Sequence, residues 1–452
     1  MIIPYQARKI PGYVLEPKFD ATGVKWESHH ATNPSPIRLT GDDRVFLGYR
    51  AGGDRDHYVI GDTEVHSSSF GMAVLDETGE RVLHRFPWPV MRIRRTVPLP
   101  QSPDEFPGYM EKHRDLVCVM HDFRLFEHGG YLHIIYHDGT IETAFDVIKR
   151  MKVSAFLERI GASVELARRP AEEIAAEWAA LWYGDGVWQP CGFEGGRLIF
   201  PTVDGKTSLK TDIVYLKLRG GIQMMRRPLP DVAVLKTADL CGSRAPDGDQ
   251  QFGVLEQCVR PGFFDNSHIG PNGIPSRATI GRQEVYIDVC HGVHNEALCK
   301  DGPFEIEMTY SPFFRVKDAK TGDLLYYSEL PVIDPDDPVW DEYARYGRWV
   351  GALPHKYIMF VGGQTEVRKG RTGEDDVFTF YTGVGDTAVA RAEFTVRELL
   401  PPDVLLDISR KYRYDQVPVM LPKAYYNFDR RIAGWTWRLK NDTRKRCIAV
   451  ER

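Results

Sequence analysis

Asp122 is followed two positions later by Arg124, where the apolar run LVCVM (116–120) gives way to polar groups. A carboxyl at the end of such a run can be tuned both ways. Partial burial raises its pKa, and a neighbouring guanidinium lowers it. A carboxylic acid that keeps its proton can deliver it to the leaving oxygen of a glycosidic bond. An Asp–Arg pair can also simply pin a turn, and spacing alone leaves both readings open. Inverting cleavage needs a second carboxylate to activate water, the two carboxyls standing roughly 6.5–9.5 Å apart. Glu296 in CHGVHNE (290–296) and Glu366 in GGQTEV (362–367) each lie just beyond a strand-like run and are candidates for that base. Each also reads as a solvated loop carboxylate.

Other chemistries leave weaker traces. Histidines gather at positions 121, 128, 133 and 137, and again in His291-Gly-Val-His294-Asn-Glu296. The i,i+4 zinc spacing of a helix is missing there, so no metal site is assigned and no cofactor is expected. A metal hydrolase using these groups is a separate hypothesis. RAGGD (50–54) and VGGQ (361–364) fit neither a dinucleotide-binding nor a phosphate-binding loop, and they read as turns. No GxSxG nucleophile elbow occurs. Trp88, Trp182, Trp188 and Trp349 could stack on sugar faces or fill a core.

The elements that must position these groups are mostly strands. Five runs look alike: 44–54, 131–139, 221–231, 284–292 and 377–386. Each is apolar, ends in polar or aromatic groups, and meets a turn. Five such units at irregular spacing point to radial repetition of small antiparallel sheets; a two-sheet sandwich explains the strands but not the recurring polar ends. One stretch departs from this pattern. AFDVIKRMKVSAFLERIG (144–161) and PAEEIAAEWAALWYG (170–184) carry helical spacing, with Pro170 suited to a first helical position. Residues 144–184 are therefore expected as a helical insertion, packed on the sheets or on another subunit. ELLPPDVLLDISRKY, around Pro401-Pro402, suits a short helix within a C-terminal extension, 401–452.

At 452 residues with a net charge of −5, no Lys/Arg-rich segment stands out, which argues against nucleic acid as a partner. No apolar stretch has the length of a membrane span or of a signal peptide. The seven cysteines are scattered without a CxxC pair and read as buried or free thiols of a reducing cytoplasm. The 9 Trp, 21 Tyr and 22 Phe suit a sheet core first and a sugar cleft second.

In order along residues 31–400, the chain resembles glycoside hydrolase family 130, the β-mannoside phosphorylases and related mannosidases. Asn33-Pro34 followed by FLGYRAG (46–52) is similar to the family's opening NP…YR segment, which includes Arg50. HDFRLF (121–126) stands where the family has Glu-Asp-Pro-Arg. RLIFP (197–201), RRPLPD (226–231), GPNGIP (270–275) with CHGV (290–293), and FYTGVGD (380–386) follow in the family's order. The resemblance implies a five-bladed β-propeller, with Asp122 as the catalytic acid passing its proton through a sugar hydroxyl. It implies Asn33, Arg50, Arg124, Arg227, His291 and Asp386 as substrate-binding residues. There are departures. His121 and Phe123 replace the Glu and Pro around the acid, Arg226 replaces the His of His-Arg-Pro, and Cys290 replaces a Tyr that contacts phosphate. Glu194-Gly195-Gly196-Arg197 lacks the family's phosphate-holding Lys. Phosphate recognition needs convergent cationic donors, so these losses favour hydrolysis over phosphorolysis.

The expected protein is thus all-β: a five-bladed propeller over 1–400, with the helical insertion at 144–184 and the extension at 401–452. Its expected function is inverting cleavage of a β-mannoside-type or related bond in the cytoplasm, on an oligosaccharide or glycoside. The alternatives are an inverting phosphorylase that uses inorganic phosphate as co-substrate and a non-catalytic sugar-binding propeller. A homo-oligomer is compatible with this reading, through the helical insertion or the C-terminal extension.

Overall fold

The computed structural model describes residues 5–18, 26–53, 57–60, 63–66, 68–91, 119–139, 144–190, 197–198, 207–209, 213–218, 221–226, 252–257, 268–270, 275–295, 308–319, 324–328, 330–333, 338–340 and 358–409. The chain is mostly β. It opens with a short strand β1 (Arg8–Lys9). Sheet I orders β2 (His30–Arg38), β3 (Val45–Gly52), β6 (Ser69–Leu75) and β7 (Val82–Arg85), with a separate hairpin of β4 (His57–Ile60) and β5 (Thr63–His66) between β3 and β6. Sheet II orders β8 (Val119–His128), β9 (Tyr131–Gly139) and β10 (Ala144–Lys152), edged by β11 (Gln189–Pro190) and β12 (Arg197–Leu198). Sheet III is β13 (Thr207–Leu209), β14 (Ile213–Leu218), β15 (Gly221–Arg226) and β16 (Phe252–Gln257).

Sheet IV places β17 (His268–Gly270) and β18 (Ser276–Ile280) beside β19 (Gln283–Asn295), followed by β20 (Met308–Asp318) and β21 (Leu324–Tyr327). Sheet V runs β22 (Met359–Arg368), β23 (Val377–Val384) and β24 (Ala388–Thr395), and β1 supplies its fourth strand. All the pairings within these sheets are antiparallel, and each sheet is a meander built largely in chain order. The five similar runs of the sequence each supply one strand, and each strand lies in a different sheet: β3, β9, β15, β19 and β23.

Four of the sheets pack side by side in a propeller-like arrangement, with first strands meeting. Strand β2 lies against both β8 and β22, and β22 lies against β19 and β20. Sheet III touches sheet IV, where β15 approaches β17. Polar side chains stitch the seams. Ser35 Oγ accepts the Leu125 amide at 2.7 Å, joining sheets I and II. The Gln364 amide spans sheets V and IV, accepting from Val289 N at 3.1 Å and donating to Ile287 O. Arg38 Nε donates to Glu366 O at 2.8 Å, joining sheets I and V. A first strand has an unpaired edge, and these bonds satisfy backbone groups that would otherwise be buried without partners.

The helical segment begins later than its sequence pattern implies. Residues Ala144–Lys152 form β10, in continuous register with β9 from Ala144↔Gly139 to Lys152↔Tyr131. Helix begins at Val153, giving α1 (Val153–Leu166) and then α2 (Ala175–Trp182). Pro170 precedes a run of turns, so it does not start α2. In 144–152 the apolar residues fit a helical period, and periodicity over so short a run does not separate strand from helix. The apolar faces of both helices pack on the sheets. Phe156, Ile160, Trp178 and Trp182 join one core with Phe46, Phe86, Val90 and Leu132. Trp178 Nε1 donates to Pro89 O at 2.8 Å, and Trp182 Nε1 donates to Ser163 Oγ at 2.9 Å. A capped turn α3 (Val396–Leu399) follows β24. Helix α4 (Pro402–Ser409) then lays Ile408 into the core beneath sheets IV and V, as the Pro401-Pro402 signal implied. Residues 410–452 lie outside the described set. Among the described residues no helix is long and apolar enough to cross a membrane.

Candidate functional site

The first strands of sheets I, II and V share a defect in their ladders. In β2, Thr32 pairs with Arg50 and Ser35 with Gly48, so Asn33 and Pro34 together oppose Tyr49. In β8, His121 pairs with His137 and Arg124 with Ile135, so Asp122 and Phe123 together oppose Tyr136. In β22, Val361 pairs with Thr382 and Gly363 with Tyr381, leaving Gly362 extra. In sheet IV, β17 pairs up to Gly270 opposite His291, and β18 pairs from Ser276 opposite Ile287. A bulge bends its strand and re-aims the side chains beside it. Three bulges at matching steps therefore gather irregular backbone at one level of the seams.

Contacts join these steps directly. Gly362 sits so close to Pro34 that a Cβ would overlap the Pro34 carbonyl group and lie 3.0 Å from its nitrogen. Likewise, a Cβ on Gly383 would stand 3.1 Å from Asn33 N. VGGQ (361–364) is thus interior to β22, not a turn, and its glycine serves close backbone approach.

Asn33 is buried, with φ 46°, and Asp386 is half-buried, with φ 51°. With Tyr5 they are the non-glycine residues of left-handed backbone among those described. Asn and Asp tolerate that region better than other side chains, and it is enriched at functional sites. The Asp386 turn is tied down on both sides: Ala31 N donates to Thr387 O at 2.9 Å, and Gly385 N donates to Ile358 O at 2.8 Å. Asn33 and Asp386 are thereby held near one another at the end of β2 and β23.

Arg50 pairs in register with Thr32, is buried, and donates from Nε to Ser68 Oγ at 3.0 Å. Arg124, 4% exposed, donates to Phe123 O at 2.8 Å. Its guanidinium carbon stands 5.0 Å from the centroid of Phe360, the second residue of β22. His291, fully buried, lies with its ring centroid 4.4 Å from the same Phe360 ring and 5.5 Å from Tyr310. Phe360 pairs with Gly383, the glycine that abuts Asn33. Residues Asn33, Arg50, Arg124, His291 and Asp386, drawn from sheets I, II, IV and V, therefore fall in one neighbourhood.

The remaining candidates separate. Glu366 lies six residues beyond Phe360 on β22, roughly 20 Å along an extended strand. There its carboxylate pairs with Lys369 Nζ at 2.6 Å and its carbonyl accepts from Arg38. Glu366 is anchored at the opposite end of the strand, which corrects its placement as a candidate base: the run around it is strand to Arg368, so the loop assumed to carry it inward does not exist. Asp122 is placed by its backbone in the β8 bulge, and its side chain lies outside the described part. Arg227 and Glu296 lie outside the described residues. Trp182 and Trp188 are buried in the helix core, and Trp88 donates to Ala171 O at 2.8 Å, so these three rings serve packing; Trp349 is outside the described set. Among the described residues, no three His, Cys, Asp or Glu side chains gather to hold a metal ion. Cys290 is buried, and its thiol donates to Asp288 O at 4.0 Å.

One anchor lies directly beside the site. Tyr49, opposite the β2 bulge, donates to Glu27 Oε2 at 2.8 Å; Glu27 also pairs with Arg85 at 2.8 Å and Lys18 at 2.6 Å. Burial first, and then the Glu27 charge, push the Tyr49 phenol well above its ordinary value. The phenol stays neutral and acts as a fixed donor, holding β3 while Arg50 projects to the other face. Sequence reading missed Phe360, Ser68 and Gly362. The only signal was the FVGG step, where an aromatic precedes two glycines inside an apolar run.

No protein-family model and no curated protein matches the chain. Solved structures do match in fold. A glycosyl hydrolase from Bacteroides ovatus superposes with a TM-score of 0.50 at 14% identity, covering 87% of this chain and 94% of that one. A structure from work on the glycoside hydrolase family 130 mannoside phosphorylases, which reports hydrolases that target β-1,2 mannosidic linkages in Candida mannan, gives 0.51 at 14% identity, covering 88% and 96%. The β-1,2-mannobiose phosphorylase of Listeria innocua gives 0.48 at 13% identity, covering 85% and 95%. The chain shares, over most of its length, the fold of the Bacteroides ovatus glycosyl hydrolase and of the structure from the work on glycoside hydrolase family 130.

Proposed function

We propose that the five sheets close into a five-bladed propeller and that the protein is a glycosidase. In this reading it cleaves a β-mannoside-type or related bond with inversion, with Asp122 as the general acid. The observation that carries the reading is the β8 bulge at Asp122-Phe123, set at the same step as the Asn33-Pro34 bulge and next to Arg124. Arg50 and Arg124 orient sugar hydroxyls or anionic groups, and His291 and Asp386 hold the sugar in the reacting subsite. Water adds to the anomeric carbon as the glycosidic bond breaks. The Asp122 proton goes, directly or through a sugar hydroxyl, to the leaving oxygen, and a base takes the proton of the water. With Glu366 at the far end of β22, Glu296, which directly follows β19, is the base in this scheme.

Phosphorolysis is the second reading, favoured by the two buried guanidiniums, since planar guanidinium groups suit phosphate. One assay separates the readings: a panel of β-mannosides, β-1,2-linked ones included, incubated with and without phosphate, using wild type, Asp122→Asn and Glu366→Gln. Reducing sugar without phosphate is the expected product, and Asp122→Asn should lose about 10²–10⁴-fold in rate. Glu366→Gln should stay near wild type. Sugar 1-phosphate formed only with phosphate selects the second reading. Turnover unchanged in Asp122→Asn overturns the acid assignment, and glycan binding without turnover makes the protein a sugar-binding propeller.

A further inference from the structure

We infer that Phe360 is a positioning residue whose ring fixes Arg124 and His291 relative to each other across the meeting of three sheets; the inference rests on the glycosidase reading for its functional consequence. Phe360 belongs to sheet V, Arg124 to sheet II and His291 to sheet IV; among the described residues, a single parallel bridge between Tyr310 and Ile358 is the backbone pairing between sheets IV and V beside the ring. The guanidinium 5.0 Å from the ring centroid lies within cation–π range. The imidazole, 4.4 Å from the same centroid and tilted 39°, takes an offset aromatic contact. A single rigid ring thus sets the separation of two polar groups that come from distant parts of the chain. Its own placement is over-determined. Phe360 pairs with Gly383 in β23, and its carboxyl-side neighbours lead directly into the Gly362 bulge pressed on Pro34.

The ring is apolar and makes no hydrogen bond, so it does no chemistry itself. An aliphatic residue of similar volume would fill the space and keep the core closed. It would have no quadrupole to hold the guanidinium and no flat face against the imidazole. Displacements of about 1 Å at a reacting centre can cost on the order of a hundredfold in rate. Loss of the ring should therefore appear in catalysis more than in folding.

The test compares Phe360→Leu and Phe360→Tyr, each alone and combined with Arg124→Lys, by glycoside turnover and by urea unfolding. The expected result is a drop of at least tenfold in kcat for Phe360→Leu with KM changed less than threefold, and recovery of most of that loss in Phe360→Tyr. Phe360→Leu should also cost less once Arg124 is already Lys, in both turnover and unfolding. Wild-type kcat in Phe360→Leu overturns the inference, as does an equal loss in Phe360→Leu and Phe360→Tyr. If wild type turns over no glycoside, the glycosidase reading fails on its own. The unfolding cycle then decides: coupling between positions 360 and 124 supports the contact, and additive effects overturn it.

Discussion

Two glycines should answer the same substitution with opposite signs. At Gly362 an alanine Cβ would overlap the Pro34 carbonyl and stand 3.0 Å from the Pro34 nitrogen. Both obstacles are backbone atoms of β2, so no rotamer change relieves the clash. Strands β2 and β22 would have to part, loosening the seam held by Arg38 and the Asn33-Pro34 bulge. Overpacking of this kind costs about 1–3 kcal/mol, and the upper end fits a collision with main chain. At Gly161, exposed within α1, an added Cβ meets nothing within 4 Å. There alanine removes the conformational freedom of glycine from the unfolded chain and should stabilise by about 0.5–1 kcal/mol. Urea unfolding followed by tryptophan fluorescence measures both. With a slope of roughly 3 kcal/mol per molar, Gly362→Ala should lower the midpoint by about 1 M, and Gly161→Ala should raise it by about 0.2 M. Glycosidase activity should fall in Gly362→Ala and hold in Gly161→Ala. A Gly362→Ala protein that unfolds at or above the wild-type midpoint would refute the close approach of the two bulges, and with it the geometry of the site.

Further expectations follow from buried polar groups. Tyr49 and Tyr381 are both fully buried with phenols pushed up, in each case chiefly by burial. The unfolded chain releases these protons near pH 10 while the folded chain keeps them. Stability is therefore fully present below about pH 10 and falls as pH rises beyond it, by about 1.4 kcal/mol per pH unit per tyrosine. Denaturant midpoints across pH 8–11 should bend downward, and Tyr49→Phe should reduce the slope; an unchanged slope would contradict the linkage. Arg315 and Asp288 form a fully buried ion pair across β19 and β20. Arg315→Met should cost about 3–5 kcal/mol, because it strands the Asp288 charge; a loss under about 1 kcal/mol in urea unfolding would show that the carboxylate finds another partner or a proton.

How much of this could be read beforehand divides along physical lines. The five similar runs announced five sheets because alternation and polar strand ends are local properties, and β3, β9, β15, β19 and β23 each took one. Pro401-Pro402 announced α4 for the same reason. The strand at Ala144–Lys152 was misread because its apolar residues fit a helical period and so short a run does not discriminate, IKRMK fitting a helix just as well. Among site residues, Asn33, Arg50, Arg124, His291 and Asp386 came from short motifs, and they fall together. Glu366 stands apart from them because its strand runs on to Arg368, and a motif without a register cannot say which end of a strand a residue occupies. Phe360 was invisible: an apolar residue in an apolar run shows its role only once Arg124, more than two hundred positions away in sequence, is found on its ring.

The bulges explain why the polar groups end up together. A regular first strand buries one row of side chains and exposes the other, leaving no way to bring an acid, an amide and a guanidinium to one level. An extra residue shifts the phase of a strand, so that side chains on either side of it leave their expected faces. In β2 the extra residue comes at Asn33-Pro34, and in β8 at Asp122-Phe123. The residue facing each is a tyrosine, Tyr49 or Tyr136, and the next residue along the second strand is polar, Arg50 or His137. Strand β23 repeats the step with Tyr381-Thr382. In sheets I, II and V the polar strand ends that marked the sequence as repetitive are therefore the partners of the defects, a ladder that bulges at the same step of each first strand.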